Sequence, residues 1–117
     1  MSAIRHIVMW NMVDATSAAR FKAQLDSCRR LVPGIVEWEV GIRQPGLDAS
    51  VDVVLVSTFA SRAALDEYQN HPHHKAVASL IGPWRRTREV LDYDIATARA
   101  AAERVPAAGE DAAAQQQ

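Results

Sequence analysis

The segment Ile4-Arg5-His6-Ile7-Val8-Met9-Trp10-Asn11-Met12 is the most informative part of this chain, because it carries large apolar residues on both sides of an alternating pattern. Successive side chains of a β-strand point to opposite faces of a sheet. One face of this strand would hold every second residue from Ile4 to Met12, and the other would hold Ile7 and Met9 with two polar neighbours. Since each apolar face needs a cover, the segment is typical of a central strand.

Three further segments alternate in a similar way and complete a four-stranded sheet. Residues 51–59 are apolar on both faces, whereas residues 35–43 and 85–95 have one largely apolar face and one rich in charge. The pattern therefore predicts two central strands, 4–12 and 51–59, and two edge strands.

The segment between the first two strands has the pattern of one amphipathic helix. Phe21, Leu25, Cys28 and Val32 follow one another at spacings that place them on a single helical face. The helix is predicted to end at Pro33-Gly34, since both residues disfavour its continuation.

A second helical segment follows residues 51–59. Ser61 is suited to cap its start, and Pro72 interrupts it, because the residue before a proline disfavours helical geometry. A right-handed crossover between the first two strands leaves a gap that the third strand fills. The chain order therefore predicts an α+β, ferredoxin-like βαββαβ fold with a four-stranded antiparallel sheet in the order 4-1-3-2.

The second apolar face of this sheet predicts a homodimer. Helices in such a fold cover one face only, and a large exposed patch of Val, Met and Trp on a monomer would favour aggregation. The simplest cover is the same face of a second copy, related by a two-fold axis. We therefore expect a dimeric α+β barrel in which two sheets face each other.

Length and composition restrict the domain organisation and the partners. The 117 residues have room for one domain, which we place at 3–95, and the Ala- and Gln-rich residues 96–117 are expected to form a largely disordered tail.

Nucleic-acid binding usually needs a basic patch, and the net charge of −1 comes without one. The sequence has no run of about 18 apolar residues, so no membrane span is predicted. With no signal-peptide pattern at Met1, a cytoplasmic location is expected.

Motifs for metals and cofactors are missing from the sequence. Cys28 is the only cysteine, so neither an internal disulfide nor a cysteine-based zinc site is expected. Glycine-rich phosphate loops, a dinucleotide fingerprint and a nucleophile elbow are also absent. The prediction is therefore a protein without metal or cofactor.

The candidate chemistry lies in the string Tyr68-Gln-Asn-His71-Pro-His73-His74 and in His6 on the first strand. Histidine exchanges protons near neutral pH, and a tyrosine hydroxyl can stabilise a developing oxyanion. Each residue also has a structural interpretation: His73 as a solvated helix-start residue, His71 as a turn residue and His6 as a hydrogen-bonded core residue. Tyr68 and His74 fall on helical positions that allow them to face inward.

These residues together resemble the stress-responsive A/B barrel, or Dabb, domain family over about residues 3–95. The resemblance is carried by residues 4–10, the Phe59-Ala60-Ser61 junction, the string Tyr68-x-x-His71-Pro-x-His74 and the closing Val90-Leu-Asp-Tyr-Asp. It implies a dimeric α+β barrel. Most members have no assigned reaction, and some plant members are stress-associated proteins.

One member of that family cyclises a linear polyketide by aldol condensation without a cofactor. The resemblance matches its catalytic tyrosine and histidine to Tyr68 and His74, and further pocket positions to His6 and His71. We also expect Val8 and Trp10 to line the pocket. Trp10 is bulky where a cyclase pocket has a smaller aliphatic residue, so the pocket is expected to be shorter.

Two functions follow from this sequence. The first is a homodimeric barrel that binds a small apolar or polyketide-like molecule without turnover. The alternative is a cofactor-independent cyclase or lyase in which His74 is the general base and Tyr68 stabilises the oxyanion. A monooxygenase of the related dimeric barrels ranks last, because the sequence carries no sign of haem or flavin.

Overall fold

A computed structural model describes residues 2–103 of the chain. Its strands and helices follow one another in the order β1 (Ile4–Met12), α1 (Ala18–Asp26), β2 (Ile35–Ile42), β3 (Val53–Phe59), α2 (Arg62–Asn70), α3 (Pro72–Ile81), β4 (Arg85–Asp94) and α4 (Ile95–Glu103). The four strands form one antiparallel sheet in the order β2-β3-β1-β4. This is the predicted ferredoxin-like arrangement, with β1 and β3 in the centre. Within residues 2–103, no helix has the length and apolar character that a membrane crossing requires.

The two faces of β1 alternate as the sequence predicts. Every second residue from Ile4 to Met12 is buried beneath the helices, whereas Met9 on the opposite face is 39% exposed. The side of the sheet that α1, α2 and α3 cover is called the inner face below, and the opposite side the outer face.

The core lies between the inner face and the helices. Phe21 from α1 and Phe59 from β3 have no exposed surface. The Phe21 ring packs edge-on against Trp10, with 5.1 Å between the ring centroids. These aromatic side chains anchor α1 to the inner face of the sheet.

The first helix is shorter than predicted. It ends at Asp26, and the chain continues through turns in which the amide of Cys28 donates to the carbonyl of Leu25 and the amide of Leu31 donates to that of Cys28. Cys28 and Val32 are nevertheless buried. The prediction that the helix reaches Pro33 was wrong, because three-residue turns keep apolar residues at these spacings on one side as well as a helix does.

The end of β4 leads directly into a further helix. The Asp94 carboxylate accepts a hydrogen bond from the amide of Thr97 and so caps the start of α4. The first part of the predicted tail is therefore helical, as its alanine content favours. Residues 104–117, where most of that predicted disordered tail falls, lie outside the described residues.

Candidate functional site

A cavity of about 240 Å³ lies between the inner face of the sheet and the helices. The helices α1 and α2 pack mainly over β2 and β3, so the side of the sheet that ends in β4 is less covered and the cavity opens there. Its apolar wall is formed by Val8, Trp10, Leu25, Leu55, Val77, Ala78 and Ile81. This volume is below the range of about 300–1,000 Å³ typical of drug-sized ligands. It exceeds the roughly 150 Å³ of a cavity that holds benzene.

The break between α2 and α3 brings Tyr68 and His74 together in this cavity. The Nδ1 atom of His71 accepts a hydrogen bond from the amide of His73, and Pro72 occupies the first turn of α3. The new helix direction places the His74 ring against the ring of Tyr68, with 4.4 Å between their centroids. Both side chains line the cavity.

His74 has the protonation state of a general base. Its Nδ1 atom lies 3.2 Å from the carbonyl oxygen of Gln69, an arrangement in which Nδ1–H donates and Nε2 keeps its lone pair. Burial lowers the pKa of the imidazole below its ordinary value and outweighs the hydrogen bond to Gln69, which raises it; the charge of Arg88 lowers the pKa further. His74 is therefore neutral at pH 7 and able to accept a proton.

Tyr68 has the protonation state of a hydrogen-bond donor. Only 2% of the residue is exposed, and its ring is surrounded by the rings of Phe59, Trp38, His6 and His74. Burial raises the pKa of the phenol far above its ordinary value. The hydroxyl therefore keeps its proton and can donate it in a hydrogen bond to an oxygen of a bound molecule.

His6 is held by an acidic residue that the sequence reasoning did not single out as part of the site. His6 lies opposite Asp92 in the pairing of β1 with β4, and its Nδ1 atom is 2.5 Å from the Asp92 carboxylate. His6 is 3% exposed, and a carboxylate on one ring nitrogen fixes the orientation of an imidazole. The signal that identifies Asp92 is its place opposite His6 in the strand register.

Two arginines at the start of β4 were also missed as site residues. Arg85 and Arg88 line the cavity beside His6 and His74. In the strand pairing Arg88 lies opposite Trp10, which places it on the inner face. Local sequence patterns describe β4 as a charged edge strand and do not distinguish these arginines from the neighbouring Arg86.

The site residues predicted from the sequence fall into two groups. His6, Val8, Trp10, Tyr68 and His74 all line the cavity, whereas the structure places His71 outside the cavity wall as the cap of α3. Within residues 2–103, no group of three or more His, Cys, Asp or Glu side chains is arranged to hold a metal ion.

Cys28 also lines the cavity. Burial raises the pKa of its thiol, so the side chain is a neutral, apolar part of the wall.

Comparison with known proteins identifies a family and a shared fold. The model of the stress responsive A/B barrel domain family matches residues 4–95. No curated protein matches the chain.

Three solved structures illustrate the shared fold. A dimeric ferredoxin-like protein of unknown function from Thermobifida fusca has 20% sequence identity and a TM-score of 0.70, covering 80% of this chain and 91% of its own. A Dabb family protein from Mesorhizobium loti has 24% identity and a TM-score of 0.67, covering 80% and 96%. The hydroxynitrile lyase of Passiflora edulis has 21% identity and a TM-score of 0.67, covering 80% and 93%. At these identities the likeness establishes the fold alone.

Proposed function

This chain belongs to the stress responsive A/B barrel domain family, and we propose that it is a homodimeric protein that binds a small apolar molecule between its sheet and its helices. The observation that carries this proposal is the cavity of about 240 Å³ in which Tyr68 and His74 meet. A well-packed core leaves few voids larger than a water molecule. An apolar cavity of this size is therefore a candidate ligand site.

The proposed dimer rests on the outer face of the sheet. Ile7 lies in register between Leu91 on β4 and Val56 on β3, so an apolar row crosses three neighbouring strands. Leu91 is 62% exposed, and Met9 in the next row is 39% exposed. A second copy that presents the same face would bury these rows, and the related Thermobifida fusca protein is described as dimeric.

The direct experiment is native mass spectrometry of the purified protein, followed by identification of any small molecule that it carries. Ala78 and Ala76 are both exposed residues of α3, but only Ala78 lines the cavity. We expect Ala78→Phe to remove the bound mass and the matched Ala76→Phe to retain it. A bound mass that survives Ala78→Phe unchanged would place the ligand elsewhere and contradict the proposal.

The pairing of Tyr68 with His74 favours a second candidate, a cofactor-independent lyase or cyclase. In this reaction the Nε2 atom of His74 takes a proton from the carbon next to a carbonyl group of a polyketide-like substrate. The Tyr68 hydroxyl donates a hydrogen bond to the oxygen on which negative charge develops. General base catalysis of this kind contributes about 10²- to 10⁴-fold in rate.

A turnover assay separates the two candidates. The protein is incubated with poly-β-keto compounds, and product formation is compared with that of His74→Ala and Tyr68→Phe. A cyclase requires a loss of about 10²-fold or more in the His74 variant. If wild type forms product no faster than buffer without protein, turnover of these compounds is excluded and the binding function stands alone.

A further inference from the structure

We propose that the occupant of the cavity is a small monocarboxylic acid, whose apolar part enters the cavity while its carboxylate lies against Arg88 and Arg85. This inference rests on the proposed binding function and names the chemical class of the ligand. It follows from the charge, the position and the size of the site.

The charge of the cavity wall has one sign. Arg85 and Arg88 carry the charge of the wall, His74 is neutral at pH 7, and no Asp or Glu residue lines the cavity. Within residues 2–103, four basic side chains have a nitrogen within 4.0 Å of a carboxylate oxygen. They are Arg5, His6, Lys22 and Arg43. In this part of the chain, Arg85 and Arg88 therefore have no carboxylate that neutralises them.

The position of Arg88 suits contact with the polar end of a ligand. Arg88 is exposed, and its position opposite Trp10 puts it at the border between solvent and the apolar wall. Its charge also influences Tyr68 and His74, since it lowers the pKa of both groups, although burial is the larger effect on each. A planar guanidinium matches the two oxygens of a carboxylate and can bind both.

The size of the cavity restricts the apolar part of the acid. A cavity of about 240 Å³ has room for one aromatic ring or a short alkyl chain. The wall holds no lysine and no arginine other than Arg85 and Arg88, and side chains such as Val8 and Leu55 are apolar, so a second carboxylate would find no further Lys or Arg partner. A monoanion with a single charged end fits this arrangement, and a dianion with charges at both ends does not.

The test compares acids with their uncharged amides. Benzoate is titrated against benzamide and hexanoate against hexanamide by ligand-observed NMR, with wild type, Arg88→Gln and Arg86→Gln. Arg86 is the matched control, because it is an exposed arginine on the same strand that does not line the cavity. Circular dichroism checks that each variant is folded.

We expect wild type to bind each acid roughly 5- to 10-fold more tightly than its amide, as a partly solvated charged hydrogen bond allows. Arg88→Gln should remove most of this preference, the double variant with Arg85→Gln should remove the rest, and Arg86→Gln should keep it. The preference should also shrink when the salt concentration is raised to about 0.5 M.

Two results would overturn the inference, and they differ in what they imply for the binding function. Equal affinities for acid and amide in wild type, or a preference that the double variant keeps, would overturn the carboxylate assignment alone, provided that Ala78→Phe abolishes binding of the amide. Absence of binding by all four compounds would overturn the carboxylate assignment together with the proposed binding of small apolar molecules.

Discussion

The inner and outer faces of the sheet are made by the same strands, but the chain covers them differently. On the inner face, Val8 and Leu55 are almost completely buried by the helices. On the outer face, Met9 and Leu91 remain exposed although they are equally apolar. Alternation alone therefore specifies which residues need a cover, and it leaves open whether the cover comes from the same chain or from another.

The inner face also differs in what it encloses. It holds the buried imidazole of His6, which contacts the partly exposed carboxylate of Asp92, and it leaves a cavity where the helix cover ends before β4. The outer face carries mainly apolar side chains near the centre of the sheet and charged ones near the β2 edge, where Arg5 lies 3.8 Å from Glu37. The proposed chemistry and the proposed assembly thus occupy opposite sides of one sheet.

The largest expected effect is on the inner face. Phe21→Ala should lower the free energy of unfolding by about 3–5 kcal/mol, because it empties a fully buried site beside Trp10. Denaturant titration followed by circular dichroism measures this change. Stability close to that of wild type would mean that α1 does not hold the inner face together.

A substitution on the outer face should weaken self-association and leave the fold of the protomer intact. Met9→Lys should weaken self-association by about 2 kcal/mol or more, since it places charges at the centre of the proposed interface. Analytical ultracentrifugation measures the shift towards monomer. Leu80→Lys is the matched control, because Leu80 is a 49% exposed residue on α3 in the helix layer. A well-folded wild-type monomer at micromolar concentration would contradict the dimer.

A smaller loss of stability is expected when a polar contact on the inner face is removed. Asp92→Ala should cost about 1 kcal/mol, since it leaves His6 buried without its carboxylate and the Asp92 side chain is itself 37% exposed. Thermal unfolding measures the loss. If the Asp92 variant has the same melting temperature as wild type, the contact with His6 contributes nothing to stability.

The smallest effect is a shift in titration at the cavity. The His74 imidazole should titrate below its ordinary pKa of 6.5, because burial penalises the charged form. Its contribution to stability is therefore complete above about pH 6.5 and is lost as the pH falls through the lowered pKa. NMR titration of the imidazole protons tests this prediction, and a midpoint at or above 6.5 would show that His74 is not buried as described.

Much of this fold was predictable from the sequence, because the strand faces are encoded locally. The two apolar sides of residues 4–12 identify a central strand without any tertiary information, and Ser61 and Pro72 mark helix boundaries by local backbone preferences. The end of α1 was not predictable in this way, since turns and a helix satisfy the same spacing of Leu25 and Cys28.

The candidate site was predictable only in part. Tyr68 and His74 belong to one short string, so their proximity depends on a local helix break that Pro72 indicates in the sequence. Asp92 and Arg88 enter the site through pairing with β1, which is distant in sequence, and nothing in the pattern of β4 separates them from its other charged residues. Contacts that depend on strand register need the structure.

The cavity lies on the inner face of the sheet, whereas the proposed dimer contact uses the outer face. Each protomer of the proposed dimer then carries its own compartment, on the side of the sheet away from its partner. The expected stoichiometry is two ligands per dimer, with independent sites and a hyperbolic saturation curve. Dilution into monomers would leave the affinity of each compartment unchanged.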